Sequence, residues 1–248
     1  MALVRILRLG LSDDTYGSLP DSARSWFLAA RSLEEETGEP WETVLTENWP
    51  TARQPDEVER QITELKPNLV LFCAAAYWVS YPSVPLRLRR KSFPGARQVS
   101  RLGFWAANQG WAADRAAFHA ARRLLTSPAA GAFYFEPAAA LERSERLIRT
   151  ILRPEEVVLA VRGPLPLTIA GSAAIQSACE QRRAAFDAGL RALCSSLHVA
   201  YHGYAPGDRH PRDELLADRI HVNARGHARR TEVEARLMAT AWQSRLRE

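Results

Sequence analysis

The chain is expected to be an α/β protein: a three-layer α/β/α sandwich around a parallel sheet of about five strands. Three observations predict this. Short runs rich in Val, Leu or Ile recur without clean alternation, the pattern of strands buried on both faces of a parallel sheet. Helical patterns separate these runs, and alternating strands and helices imply right-handed βαβ units. The length of 248 residues, 46% hydrophobic and 25% charged, suits one domain spanning 1–248 with a substantial core.

The first strand is expected over residues 3–9, where Leu3-Val4-Arg5-Ile6-Leu7-Arg8-Leu9 stops at Gly10. A helical pattern follows over 22–37, a strand over 42–47 and a helix over 55–66. The run Leu69-Val70-Leu71-Phe72-Cys73-Ala74-Ala75 is the most apolar and reads as the third strand. Helices are expected over 112–125, 141–152 and 172–194, strands over 157–161 and 197–201, and a terminal helix over 226–247. The segment 78–137 is too long for a simple crossover. It carries Ser80-Tyr81-Pro82-Ser83, a basic run, Phe104-Trp105, Trp111 and Phe133-Tyr134-Phe135. An insertion of that size beside the third strand's carboxyl end is expected to cap or wall a site.

Ligands of such sheets bind beyond the carboxyl ends of the strands. Ser12 falls there, in Gly10-Leu11-Ser12-Asp13-Asp14, and Asp218 and His221 stand three positions apart ahead of the terminal helix. Such a set can supply a nucleophile, a base and the residue that orients the base. Taken alone, a Ser followed by two acidic residues is also a helix cap.

The two segments resemble the first and last sequence blocks of the SGNH (GDSL-type) hydrolase family. The resemblance implies that family's flavodoxin-like sandwich and an acyl-enzyme mechanism on a carboxylic ester. It implies Ser12 as nucleophile, His221 as general base and Asp218 as the residue fixing its tautomer. The middle blocks depart from the pattern. Leu11 stands where the family has Asp, Asn48-Trp49-Pro50-Thr51 where it has an oxyanion Gly, and Ala75-Ala76-Tyr77-Trp78 where it has Gly-x-Asn-Asp, so that Tyr77 takes the Asn position. Asn48, Thr51 or the Tyr77 hydroxyl are candidate oxyanion donors in their place, and Ala76 and Trp78 beside them are further oxyanion or substrate-binding candidates. The alternative is that Tyr77 and Trp78 simply line an apolar wall. Two other functions share these features: an acyltransferase on the same fold, and a catalytically impaired binding protein.

The net charge of +5 comes almost wholly from arginines scattered along the chain, with Lys66 and Lys91 the only lysines. That is no nucleic-acid footprint. One basic stretch, from Arg87 to Arg101, lacks acidic residues. It reads as solvated surface or, at Arg87, as a cradle for a substrate carboxylate or phosphate. Cys73, Cys179 and Cys194 lack metal-ligand spacing and read as reduced, buried thiols. His198 and His202 on one strand would stand ~13 Å apart, too far to share a metal. No metal, cofactor, nucleic acid or membrane is expected as a partner, only a small ester. With Met1 leading directly into a strand, the expected location is cytoplasmic.

Overall fold

The structure, a computed structural model, describes residues 3–83, 132–169, 172–216 and 220–245, together with Leu86 and Gln98. Five strands, β1 Val4–Gly10, β2 Trp41–Glu47, β3 Leu69–Cys73, β4 Val158–Arg162 and β5 Ala200–His202, form one sheet in the order β2-β1-β3-β4-β5. Every pairing is parallel; Ile6, for example, lies opposite Thr43 on β2 and Leu69 on β3. The helices are α1 Ser25–Thr37, α2 Gln54–Leu65, α3 Tyr77–Ser80, α4 Pro137–Ile151, α5 Ala173–Ser196 and α6 Ala224–Arg245.

Side chains alternate across a strand, and here both faces are covered. Leu7, Leu9, Val70, Phe72, Leu159 and Val161 meet α2, α4 and α5 through Val58, Ile62, Leu147, Ile148, Phe186 and Leu190. On the other face, Ile6, Leu69, Leu71 and Ala160 pack with Ala29, Leu33, Leu237 and Met238 of α1 and α6. Burying each large apolar side chain contributes about 1.5–3 kcal/mol, which explains why the strands carry continuous apolar runs. This is the three-layer α/β/α sandwich expected from the alternation.

Local signals set the boundaries. Gly38 closes α1 in the left-handed conformation at φ 72°, its N–H donating to Glu34 O. Pro55 sits in the first turn of α2, where a missing N–H costs nothing. Two expectations shift. The fifth strand begins at Ala200, because Leu197 ends α5 and His198 turns the chain with φ 54°. The third stops at Cys73, after which the backbone bends into α3. The helix expected over 112–125 lies outside the described residues.

The two ends of the long segment 78–137 lie side by side. Ser83 and Ala132 exchange backbone hydrogen bonds of 3.0 and 3.3 Å, and Phe135 N–H donates to Trp78 O at 3.0 Å. Both ends stand beyond β3. The chain leaves β1 toward β2 on one side, and leaves β3 toward β4 on the other. This is the switch point at which open parallel sheets hold their ligands.

Candidate active site

The turn after β1 is built by a carboxylate. The Asp14 side chain folds back to accept Leu11 N–H at 2.8 Å, and Arg8 Nε and Nη2 at 3.0 and 2.9 Å. A Cβ at Gly10 would collide with that carboxylate, so glycine is required there. Ser12–Asp14 then form one 3-10 turn, with Asp14 N–H donating to Leu11 O at 2.9 Å. The buried Arg24 donates to the carbonyls of Asp13, Tyr16, Gly17 and Leu19, which anchors the stretch that follows. The Ser12 side chain does not cap this turn. Its Oγ stands 3.1 Å from His221 Nε2.

His221 is held by the loop leading into α6. Leu216 N–H donates to His221 O at 2.8 Å, and Asn223 N–H to Glu214 O at 2.9 Å. Asn223 Oδ1 receives the N–H groups of Arg225 and Gly226, satisfying the first turn of α6. Asp13 ties this loop to the serine turn: it accepts Val222 N–H at 3.2 Å and Arg230 Nη1 at 2.7 Å. The Tyr16 ring stacks on the His221 imidazole, with centroids 3.8 Å apart and planes 21° apart.

Beneath the site lies a buried charge cluster. Arg8 and Arg162 leave the sheet on the α6 side, and both donate to Glu234, which is wholly buried on α6. Burial alone would raise the Glu234 carboxyl; Arg8 and Arg162 outweigh it and hold it down at about 2. Asp13 behaves alike, kept well below the usual carboxylate range against its own burial by Arg230 and by its histidine neighbours. The three arginines Arg8, Arg162 and Arg230 are thus balanced by Asp13, Asp14 and Glu234. Two nearby histidines are neutral. Burial, then the Arg230 charge, push His210 and His227 down to about 4. His210 Nε2 accepts from Arg230 Nε at 3.3 Å, so its Nδ1 carries the hydrogen toward Glu214, 2.6 Å away. His227 Nδ1 accepts Ser25 N–H at 3.1 Å.

Ser12 and His221 open into a cavity of about 380 Å³. Of the sequence candidates, Asn48, Ala76, Tyr77 and Trp78 also line it. Thr51 does not: it is exposed and absent from the lining, because the turn carrying its 2.7 Å backbone bond to Trp49 O faces solvent. Asn48 is buried, its amide donating to Cys73 O at 2.7 Å and its oxygen accepting from Gln54. The Tyr77 hydroxyl lies 3.4 Å from that of Tyr134, and its ring stacks on Tyr81 at 4.7 Å. With Trp49 these rings form an aromatic wall. Trp78 packs into the core between Phe72 and Phe186. Asp218 and Arg87 lie outside the described residues.

Sequence reasoning missed Tyr16, Trp49, Arg162 and Arg230, all on the cavity wall. A signal existed for Arg162: an arginine at the end of an apolar strand requires a buried acidic partner. Cys73, Cys179 and Cys194 are buried free thiols. No group of three or more metal-ligating side chains gathers among the described residues. No described helix is long and apolar enough to cross a membrane.

Solved structures share this arrangement of elements. An aryl esterase from M. smegmatis superposes with a TM-score of 0.57 at 13% identity, over 96% of this chain and 99% of its own. A carbohydrate acetylesterase from Sinorhizobium meliloti gives 0.54 at 14% identity, again over 96% and 99%. The chain has the fold of SGNH-type esterases. A psychrotrophic esterase from Pseudoalteromonas sp., solved with monoethylphosphonate as inhibitor, gives 0.52 at 9% identity over 98% of this chain and 99% of its own. No protein-family model matches the chain, and no curated protein matches it in sequence. What is common to these proteins and this chain is the sandwich, not the sequence.

Proposed function

We propose that the protein is a serine hydrolase that cleaves a small carboxylic ester through an acyl-enzyme. One observation carries this reading: the 3.1 Å approach of Ser12 Oγ to His221 Nε2 at the mouth of a cavity, at the sheet's switch point. A hydroxyl is a weak nucleophile until a base removes its proton. In this geometry His221 Nε2 takes the Ser12 proton as Oγ attacks the ester carbonyl, then returns it to the leaving alcohol. Water resolves the acyl-enzyme by the same route reversed. Asp218 is assigned the orientation of His221, from its place three residues before it. The stacked Tyr16 fixes the ring plane and favours the imidazolium formed at the transition state.

The developing oxyanion needs donors aimed at it. Ser12 N–H opens the 3-10 turn and meets no acceptor among the described residues, and the same holds for Ala75 and Ala76 N–H beside the cavity. Asn48 has one amide hydrogen left after its bond to Cys73 O. These donors replace the Gly and Asn of the family pattern. The aromatic wall of Trp49, Tyr77 and Tyr134 suits a flat or ring-bearing substrate, in keeping with relatives of this fold described as an aryl esterase and a carbohydrate acetylesterase.

The test is hydrolysis of 4-nitrophenyl acetate and butyrate by the wild type, Ser12→Ala and His221→Ala. Turnover in the wild type with a loss of about 10⁴-fold or more in each variant is expected. A folded wild type with no turnover, or an active Ser12→Ala, would overturn the assignment.

A further inference from the structure

A second recess adjoins the catalytic cavity. It has a volume of about 170 Å³ and shares Leu165 and Arg230 with the cavity lined by Ser12 and His221. One side of it is the stretch after β5. His202 ends that strand, and Tyr204, two residues on, meets the imidazole edge to face with ring centroids 4.8 Å apart. Another side is α6, through Arg229, Arg230 and Val233. The recess thus stands beyond the carboxyl end of a strand, where open parallel sheets hold ligands.

Two polar side chains here lack partners. Tyr204 is 7% exposed, yet its hydroxyl has no hydrogen-bond partner among the described residues and is not sealed from solvent. The same holds for both ring nitrogens of the half-buried His202. A buried tyrosine hydroxyl ordinarily finds a partner, as Tyr201 does by donating to Asp187 Oδ1 at 2.8 Å. One water needs only ~10–15 Å³, so a lone bridging water does not fill the recess.

The chemistry of the lining favours a neutral ligand. Arg229 and Arg230 face the recess, each already paired, with Glu214 and Asp13. Asp208 faces it too, and among the described residues it accepts only Ala205 N–H, at 2.7 Å. With charges of both signs on the lining, neither a cation nor an anion is favoured throughout. Burial pushes His202 below its ordinary value despite Asp208, so at pH 7 the ring is neutral, with one donor and one acceptor. Tyr204, its proton held by burial, both donates and accepts. Asp208 adds an acceptor. Such a set matches neighbouring hydroxyls on one ligand, and Leu165 and Val233 offer apolar surface to the carbons that carry them.

We infer that this recess binds a neutral polyol through Tyr204 and His202, and that the polyol is the alcohol part of the ester cleaved next door. The second half rests on the ester-hydrolysis reading of the adjoining cavity; polyol binding itself does not. Tyr204→Phe is the informative substitution, since it keeps the ring and removes a hydroxyl that no described residue uses.

Two measurements test this. Glycerol and D-glucose, with the anionic D-glucuronate and the cationic D-glucosamine, are titrated at pH 7 into the full chain, Tyr204→Phe and His202→Ala, with binding followed by saturation-transfer NMR. Saturable binding of a neutral polyol by the wild type is expected, tighter than that of either charged sugar. It should weaken about 2- to 13-fold in Tyr204→Phe, the worth of one neutral hydrogen bond. In the kinetic arm, kcat/KM for glyceryl monoacetate is compared with that for ethyl acetate, which carries the same acyl group and no hydroxyl. The ratio of the two should fall by the same factor in Tyr204→Phe. Absence of binding of both neutral polyols by the wild type overturns the inference, as does equal or tighter binding of a charged sugar, or an affinity unchanged in both variants. A kinetic ratio unchanged in both variants overturns the placement of the polyol on the ester. If the wild type turns over no ester, the proposed function falls while NMR still decides what the recess binds.

Discussion

Replacing Glu234 by Gln removes the shared acceptor of two buried arginines. Glu234 accepts Arg8 Nη1 and Nη2 at 2.7 and 2.9 Å and also holds Arg162. Its carboxyl is held down to about 2, against an ordinary value of 4.5. A carboxyl lowered on folding stabilises the fold above its unfolded value, and that contribution is lost as pH falls from 4.5 through 2. At ~1.4 kcal/mol per pH unit the gap amounts to about 3 kcal/mol at neutral pH. Breaking one partner of a buried ion pair costs about 3–5 kcal/mol by mutation, which agrees. For a domain of this size each kcal/mol moves Tm by about 2–4 °C. Glu234→Gln is thus expected to melt ~6–20 °C below the wild type in calorimetric scans at pH 7. A Tm within about 2 °C of wild type would refute the view that this cluster holds the interior strands β1 and β4 to α6.

Tyr16→Leu removes the ring stacked on His221 and should lower kcat by about 2- to 30-fold, the worth of a cation–π contact of ~0.5–2 kcal/mol, with KM little changed; unaltered kcat would leave the stack without a catalytic part. Tyr77→Phe should change kcat less than about 3-fold, since the hydroxyl faces Tyr134, whereas a loss above 10-fold would make Tyr77 an oxyanion donor after all. His210 and His227 titrate near 4 in the fold against an ordinary value of 6.5, so below pH 6.5 the unfolded chain takes up protons that the folded chain refuses. Stability should therefore decline steadily from pH 6.5 to 4, and a Tm that is flat between pH 7 and 5 would contradict the neutral, buried state of both rings.

Much of the fold was legible because its signals are local. The continuous apolar run at Leu69–Cys73 announces a strand covered on both faces, and the amphipathic α2 and α4 announce one of the layers that cover it. The departures came where tertiary contacts override such signals, as where His198 turns the chain before β5. In the candidate site, Ser12 and His221 could be singled out because the segments around them, one after a readable strand and one before a readable helix, resemble two blocks of a known family; position alone also fits a helix cap. Their partners were hidden by sequence distance. Asp13 accepts Val222 N–H, and Arg8 meets Glu234, across more than two hundred residues. Only the sheet order brings such residues together. The presence of Arg8 inside an apolar strand hinted at a buried acid, but nothing local says which one. Trp49, Tyr77 and Tyr134 likewise become one wall only when the chain beyond β2 meets the two ends of the long segment after β3.

The central claim is that Ser12 is a nucleophile activated by His221. It is tested most directly by treating the folded full chain with a fluorophosphonate and locating the adduct by peptide mass spectrometry. The expected result is one adduct per chain, on the Ser12 hydroxyl, absent in Ser12→Ala and strongly slowed in His221→Ala. An unlabelled wild type, or an adduct on another residue with Ser12 unmodified, would contradict it.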